Sequence, residues 1–182
     1  LDLLDRTLSV PIYFVLGNHD YYGASIEYVR SQMPRFLARR ERLCWLRGAA
    51  PPVSLTEQTA LIGHDGWADG RLGDYQHSSV ELSDITTISE FFLCNKQVRQ
   101  QRMSVLADAA AEHVRRVLPA ALAGHRKVII VTHVPPFAGA AWWRGKPSDD
   151  NYLPYFASQV MGEVLLSVMR EHPEQEALVL CG

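Results

Sequence analysis

Gly17-Asn18-His19-Asp20 places an amide, an imidazole and a carboxylate side by side, directly after the apolar run Pro11-Ile12-Tyr13-Phe14-Val15-Leu16. A glycine turn followed by three chemically different polar side chains suits metal ligation or proton transfer, and also suits an ordinary strand-to-helix turn. A second polar pair, His64-Asp65, follows Ala60-Leu61-Ile62-Gly63. A third group, His133, follows Lys127-Val128-Ile129-Ile130-Val131-Thr132 and precedes Pro135-Pro136, which fix the backbone and block a helix. Imidazole, amide oxygen and carboxylate together suit borderline divalent metals such as Mn, Fe, Zn or Ni. His133 taken alone is open to three readings: metal ligand, general base or hydrogen-bonded buried histidine.

The apolar runs that carry these groups read as short buried strands. Between them lie helical patterns. One starts near Ser25 and is interrupted or restarted at Pro34, one runs from about Lys96 to Leu118, and one covers Gln159–Arg170. Asp84 reads as the cap of a short helix reaching Phe92. Residues 66–74, with three glycines, and the Trp- and Asp-rich stretch from Val134 to about Tyr155 read as irregular loops. Ala177–Leu180 reads as a last strand. Alternating strands and helices predict a layered α/β or α+β fold in one domain, 1–182, in which the strand ends converge on one edge.

Composition narrows the partners. The chain has 182 residues and a formal net charge of -2, so bulk charge does not point to nucleic acid. Its three cysteines are widely spaced with no zinc-like pairing, which suits reduced thiols in a cytoplasmic setting. No apolar stretch reaches membrane-spanning length. The chain starts without an initiator methionine and stops at Gly182 inside a strand pattern. Both ends are therefore expected to be cuts, with a leader upstream left open. No G-x-S-x-G elbow or H-E-x-x-H helix is present. Gly139 to Lys146 fails as a phosphate loop because its glycine spacing is too long and Pro147 replaces the required Ser or Thr.

Gly17-Asn18-His19-Asp20, then Thr132-His133-Val134-Pro135-Pro136, then a strand ending at Gly182, resembles the calcineurin-like metallophosphoesterases. Of that family's five short blocks, the chain carries the third in full. It carries the fourth with Thr132 in place of the usual glycine, and the fifth would begin at Gly182. The resemblance implies a four-layer αββα sandwich, incomplete at both termini, and two divalent metal ions. Asn18 and His133 are implied as metal ligands, His19 as general acid or charge stabiliser, and Asp20 as the carboxylate that orients His19. The implied reaction is hydrolysis of a phosphomonoester or phosphodiester on a small phosphorylated substrate, by in-line attack of a dimetal-bound hydroxide. A non-catalytic binding scaffold, a pyrophosphate-bond hydrolase and a nuclease are the alternatives. The loop from Gly63 to Arg71 resembles a stretch of some bacterial members. Either His64, Asp65 and Arg71 meet substrate there, with Arg71 pairing a phosphate, or the loop is structural. The Trp142–Tyr152 region is read as a rim over the substrate. His77, His113, His125 and His172 are assigned no role. With only part of the ligand set, residues 1–182 by themselves are expected to bind metal weakly, to lack turnover and to be aggregation-prone.

Overall fold

The computed structural model describes residues 1–48 and 51–182. In chain order the elements are α1 (Asp2–Thr7), β1 (Ile12–Phe14), α2 (Ile26–Leu37), β2 (Leu43–Trp45), β3 (Val53–Ser54), β4 (Thr59–His64), α3 (Asp84–Thr87), α4 (Lys96–Gly124), β5 (Lys127–Thr132), β6 (Trp142–Trp143), β7 (Lys146–Pro147), α5 (Leu153–Phe156), α6 (Gln159–Arg170) and β8 (Glu176–Cys181). Short 3-10 helices cover Asn18–Tyr21, Leu46–Gly48 and Ala138–Ala140.

The main sheet has the order β3-β4-β5-β8. β4, β5 and β8 are parallel, with His64, Thr132 and Cys181 in one cross-strand row. Parallel neighbours need crossovers, and α4 and α6 supply them. One sheet face, through Ala60, Ile62, Val128 and Ile130, packs on Ala110, Val114 and Leu118 of α4 and on Val164 and Leu165 of α6. On the other face Leu46, at the exit of β2, closes against Gly63, where an added Cβ would sit 2.8 Å from the leucine side chain. β1 and β2 form a separate parallel pair. The result is a mixed α/β layered fold of helices and sheets.

Several elements differ from the sequence-based expectation. β5 alternates buried and half-buried residues instead of being buried throughout, because the helices occupy one face only. α4 continues through Pro119 to Gly124, since Ala121 and Leu122 are buried against the sheet and hold the last turn. α2 likewise runs through Pro34 to Leu37, with Met33 buried beside the proline. The loop after His133 contains a tight hairpin, β6–β7. Its two central residues, Arg144 and Gly145, both have positive φ, the requirement of a type I′ turn.

Candidate active site

The strand ends converge as the sequence predicts. The row His64–Thr132–Cys181 is prolonged by two further backbone bonds. His133 donates its N–H to the Asp65 carbonyl at 3.1 Å, and Gly182 donates to the His133 carbonyl at 3.1 Å. The Gly17 turn approaches the same edge. A Cβ on Gly17 would lie 2.9 Å from His133 Cε1, so glycine is needed here for close approach rather than for an unusual φ.

Beyond Gly17, Asn18 opens the 3-10 helix and its Oδ1 lies 3.0 Å from His133 Nε2. The other end of the same amide donates to Asp84 Oδ1 at 2.8 Å. Tyr22 also donates its hydroxyl to Asp84 Oδ1, at 2.6 Å. Burial pushes the Tyr22 phenol well above its ordinary range, reinforced by the hydrogen bond to Asp84, so it stays a donor. Burial also lowers the His133 pKa, opposed by the Asp20 and Asp84 charges. His19 is exposed, and its ring packs on Tyr22 with centroids 4.7 Å apart. Two donor atoms 3.0 Å apart match an edge of an octahedron with arms of about 2.1 Å. Amide oxygen and imidazole therefore fit a divalent cation in type and spacing, as two of its ligands. Among the described residues no group of three or more His, Cys, Asp or Glu is gathered to hold one.

Asp20 departs from its expected role. Its carboxylate accepts the Gly17 N–H at 2.8 Å and so caps the 3-10 turn; among the described residues it makes no hydrogen bond to His19. Asp65 departs further, since it is fully buried and has no surface for a substrate. Its Oδ1 accepts the Leu16 N–H at 2.9 Å and Trp45 Nε1–H at 2.8 Å. Its Oδ2 accepts the Tyr21 hydroxyl at 3.1 Å and pairs with Arg30 at 3.3 Å and Arg47 at 3.5 Å. Asp65 thus ties β1, β2 and α2 to the end of β4. His64 is buried too. Its Nδ1 accepts the Gly66 N–H at 3.1 Å, and its ring lies 5.3 Å from that of His113. Burial, with Arg47 and His113 adding repulsion, pushes the His64 pKa down to about 3.

Arg71 is engaged away from any phosphate role. Both its terminal nitrogens bond the Asp108 carboxylate, at 2.6 and 2.8 Å. The rest of this loop is structural as well: Asp69 caps α6 by accepting the Val160 N–H at 2.9 Å, and Trp67 packs between Tyr21 and Phe91. Of the remaining histidines, His77 pairs with Asp74 and His125 bridges Ser54 and the Ala121 carbonyl. Trp142 and Trp143 are largely exposed on the hairpin.

Sequence reasoning missed Asp84 and Tyr22. Asp84 is the first residue of α3, which ends at Thr87 rather than Phe92. An acidic residue at a helix start reads as a cap, and nothing local shows that it meets a residue 66 positions away.

A family model described as calcineurin-like phosphoesterase matches residues 1–161. No curated protein and no solved structure matches the chain. Among the described residues no helix is long and apolar enough to cross a membrane.

Proposed function

The chain belongs to the calcineurin-like phosphoesterase family, and from that membership we propose that it is a metal-dependent hydrolase acting on a small phosphomonoester or phosphodiester. The observation that carries the site assignment is the pair Asn18 Oδ1 and His133 Nε2, 3.0 Å apart at the strand-end edge, with exposed His19 as the next residue. Asn18 and His133 would hold one divalent cation of a pair. When bound, such cations supply Lewis acidity toward phosphoryl oxygens and lower the pKa of a coordinated water.

The chain's own residues do the rest. His19 keeps its ring in solvent on the Tyr22 face, where it reaches the oxygen that leaves phosphorus and donates a proton or hydrogen bond to it. Asp20 holds the Gly17 backbone and thereby the direction in which His19 projects. Pro135 and Pro136 limit movement of the segment after His133. Trp142 and Trp143, exposed on the β6–β7 hairpin, are the apolar groups of the loop after His133 that would serve as a rim for the organic part of the substrate.

The test is hydrolysis of p-nitrophenyl phosphate and bis-p-nitrophenyl phosphate by the protein, with added Mn. Metal-dependent release of p-nitrophenol, abolished in a His133→Ala, Asn18→Ala double variant, is the expected result. Release that is absent with every divalent metal, or unchanged in the double variant, overturns the reading.

A further inference from the structure

An asparagine amide has two ends of nearly equal size, and only its hydrogen-bond partners decide which end faces which way. At Asn18 the choice matters, because only Oδ1 is a donor atom for a cation while Nδ2 would repel one. We propose that Asp84, with Tyr22, is the positioning residue that points Asn18 Oδ1 at His133. For its consequence in catalysis this rests on the metal-donor role given above to Asn18; the orientation itself does not.

The geometry is one-directional. An ionised carboxylate only accepts, so the Asn18 group 2.8 Å from Asp84 Oδ1 is Nδ2–H, and Oδ1 is left for His133. Tyr22 donates to the same carboxylate oxygen at 2.6 Å, which fixes that oxygen from the other side. The segment carrying Asp84 is strapped to the turn independently of this contact. Gly23 donates its N–H to the Thr87 carbonyl at 2.8 Å, and Ser89 donates to the Ala24 carbonyl at 3.0 Å. The Glu90 carboxylate accepts the N–H groups of Ile26 and Glu27, the first residues of α2, at 2.9 and 3.2 Å. Residues 84–90 thus form a brace over residues 18–27, and Asp84 is its one side chain that reaches the candidate donor pair.

The tautomer of His133 reports the amide direction without metal or turnover. While Asn18 Oδ1 faces Nε2, Nε2 carries the ring proton. If the amide turns, Nε2 must accept and the proton moves to Nδ1. Long-range proton–nitrogen NMR of the protein at pH 8, where imidazole is neutral, distinguishes the two. Wild type is expected in the Nε2–H form. Asp84→Ala and the near-isosteric Asp84→Leu are expected to populate Nδ1–H, with the Gly23–Thr87 and Ser89–Ala24 amides still protected from exchange. Asp84→Asn should keep Nε2–H, because one amide oxygen suffices for both donors. Asp84→Leu should also weaken the protein's Mn affinity by about 10–100-fold, with Asp84→Asn close to wild type. An unchanged Nε2–H form in both Ala and Leu variants, or a loss in Asp84→Asn as complete as in Asp84→Leu, overturns the proposal. A failed Mn-dependent assay beside the expected tautomers would instead count against the phosphoesterase reading alone.

Discussion

Two His-Asp dipeptides follow two strand ends in this chain, and the fold uses them in opposite ways. His64-Asp65 is sealed: both side chains are buried, and both Asp65 oxygens are fully engaged. His19-Asp20 is open: both residues are exposed, and among the described residues the His19 ring takes no hydrogen bond from protein. The same residue types, one pair at a sheet edge and the other following the turn that meets it, thus divide into a structural keystone and a candidate reactive group. What separates them is whether the protein satisfies them internally, since a fully satisfied buried carboxylate has nothing left to offer a ligand.

The sharpest way to break that contrast is to remove the keystone. Asp65→Ala leaves Arg30 and Arg47 without their buried partner and orphans the Leu16, Tyr21 and Trp45 donors. Losing one member of a buried ion pair costs about 3–5 kcal/mol. The variant is expected to melt far below wild type or fail to fold, as urea or thermal unfolding followed by circular dichroism would show. A loss under about 0.5 kcal/mol would mean that Asp65 is not the keystone. His19→Ala is expected to do the converse. Its exposed side chain predicts stability within about 0.5 kcal/mol of wild type. Turnover should fall by about 10²–10⁴, the usual worth of a general acid. Equal turnover would remove His19 from the chemistry.

A third test uses pH. In the unfolded chain an imidazole protonates near pH 6.5, whereas burial holds folded His64 neutral down to about pH 3. Between those values the unfolded state binds more protons. Stability is therefore complete above about pH 6.5 and declines as pH falls toward about 3, with a slope from this one ring of at most about 1.4 kcal/mol per pH unit. Urea unfolding of wild type and His64→Gln at several pH values isolates the effect. The variant should show the shallower acid slope, and matching slopes would reject the sealed environment of His64.

The sequence made the edge legible but not its division of labour. The apolar runs before Asn18, His64 and His133 are strong strand signals; the ends of β4 and β5 meet because those parallel strands share an orientation, and the Asn18 end, from a separate strand pair, joins them through the close approach of Gly17 and Asn18 to His133. Burial of Asp65 was not legible, because its partners Arg30, Trp45 and Arg47 come from three other elements. β2 escaped notice because three residues, Leu43–Trp45, carry too little periodicity to register. The β6–β7 hairpin was hidden by Arg144, a residue type that does not advertise positive φ. The brace from Asp84 to Glu90 was hidden for the same reason as Asp65: its purpose lies in contacts distant in sequence.

The smallest expected effect concerns the residue that sits between the two behaviours. Asp20 belongs to the open dipeptide yet is spent on structure, accepting the Gly17 N–H at 2.8 Å. If that is its whole contribution, any side-chain acceptor of the same reach will serve. Asp20→Asn should then keep turnover within a few-fold of wild type, and stability should hardly change, as Asn caps about as well as Asp. Asp20→Ala should cost about 1 kcal/mol, the usual worth of a lost cap. Its turnover should fall only as far as the loosened Gly17 turn lets Asn18 and His19 drift. A carboxylate that instead acts on the His19 ring gives the reverse pattern: Asp20→Asn as stable as wild type but about 10–100-fold slower, with its pH–rate profile displaced, since a neutral amide cannot stabilise an imidazolium. The Asn variant therefore decides whether Asp20 belongs with the sealed pair or the open one, and it does so through a charge difference that leaves the cap in place.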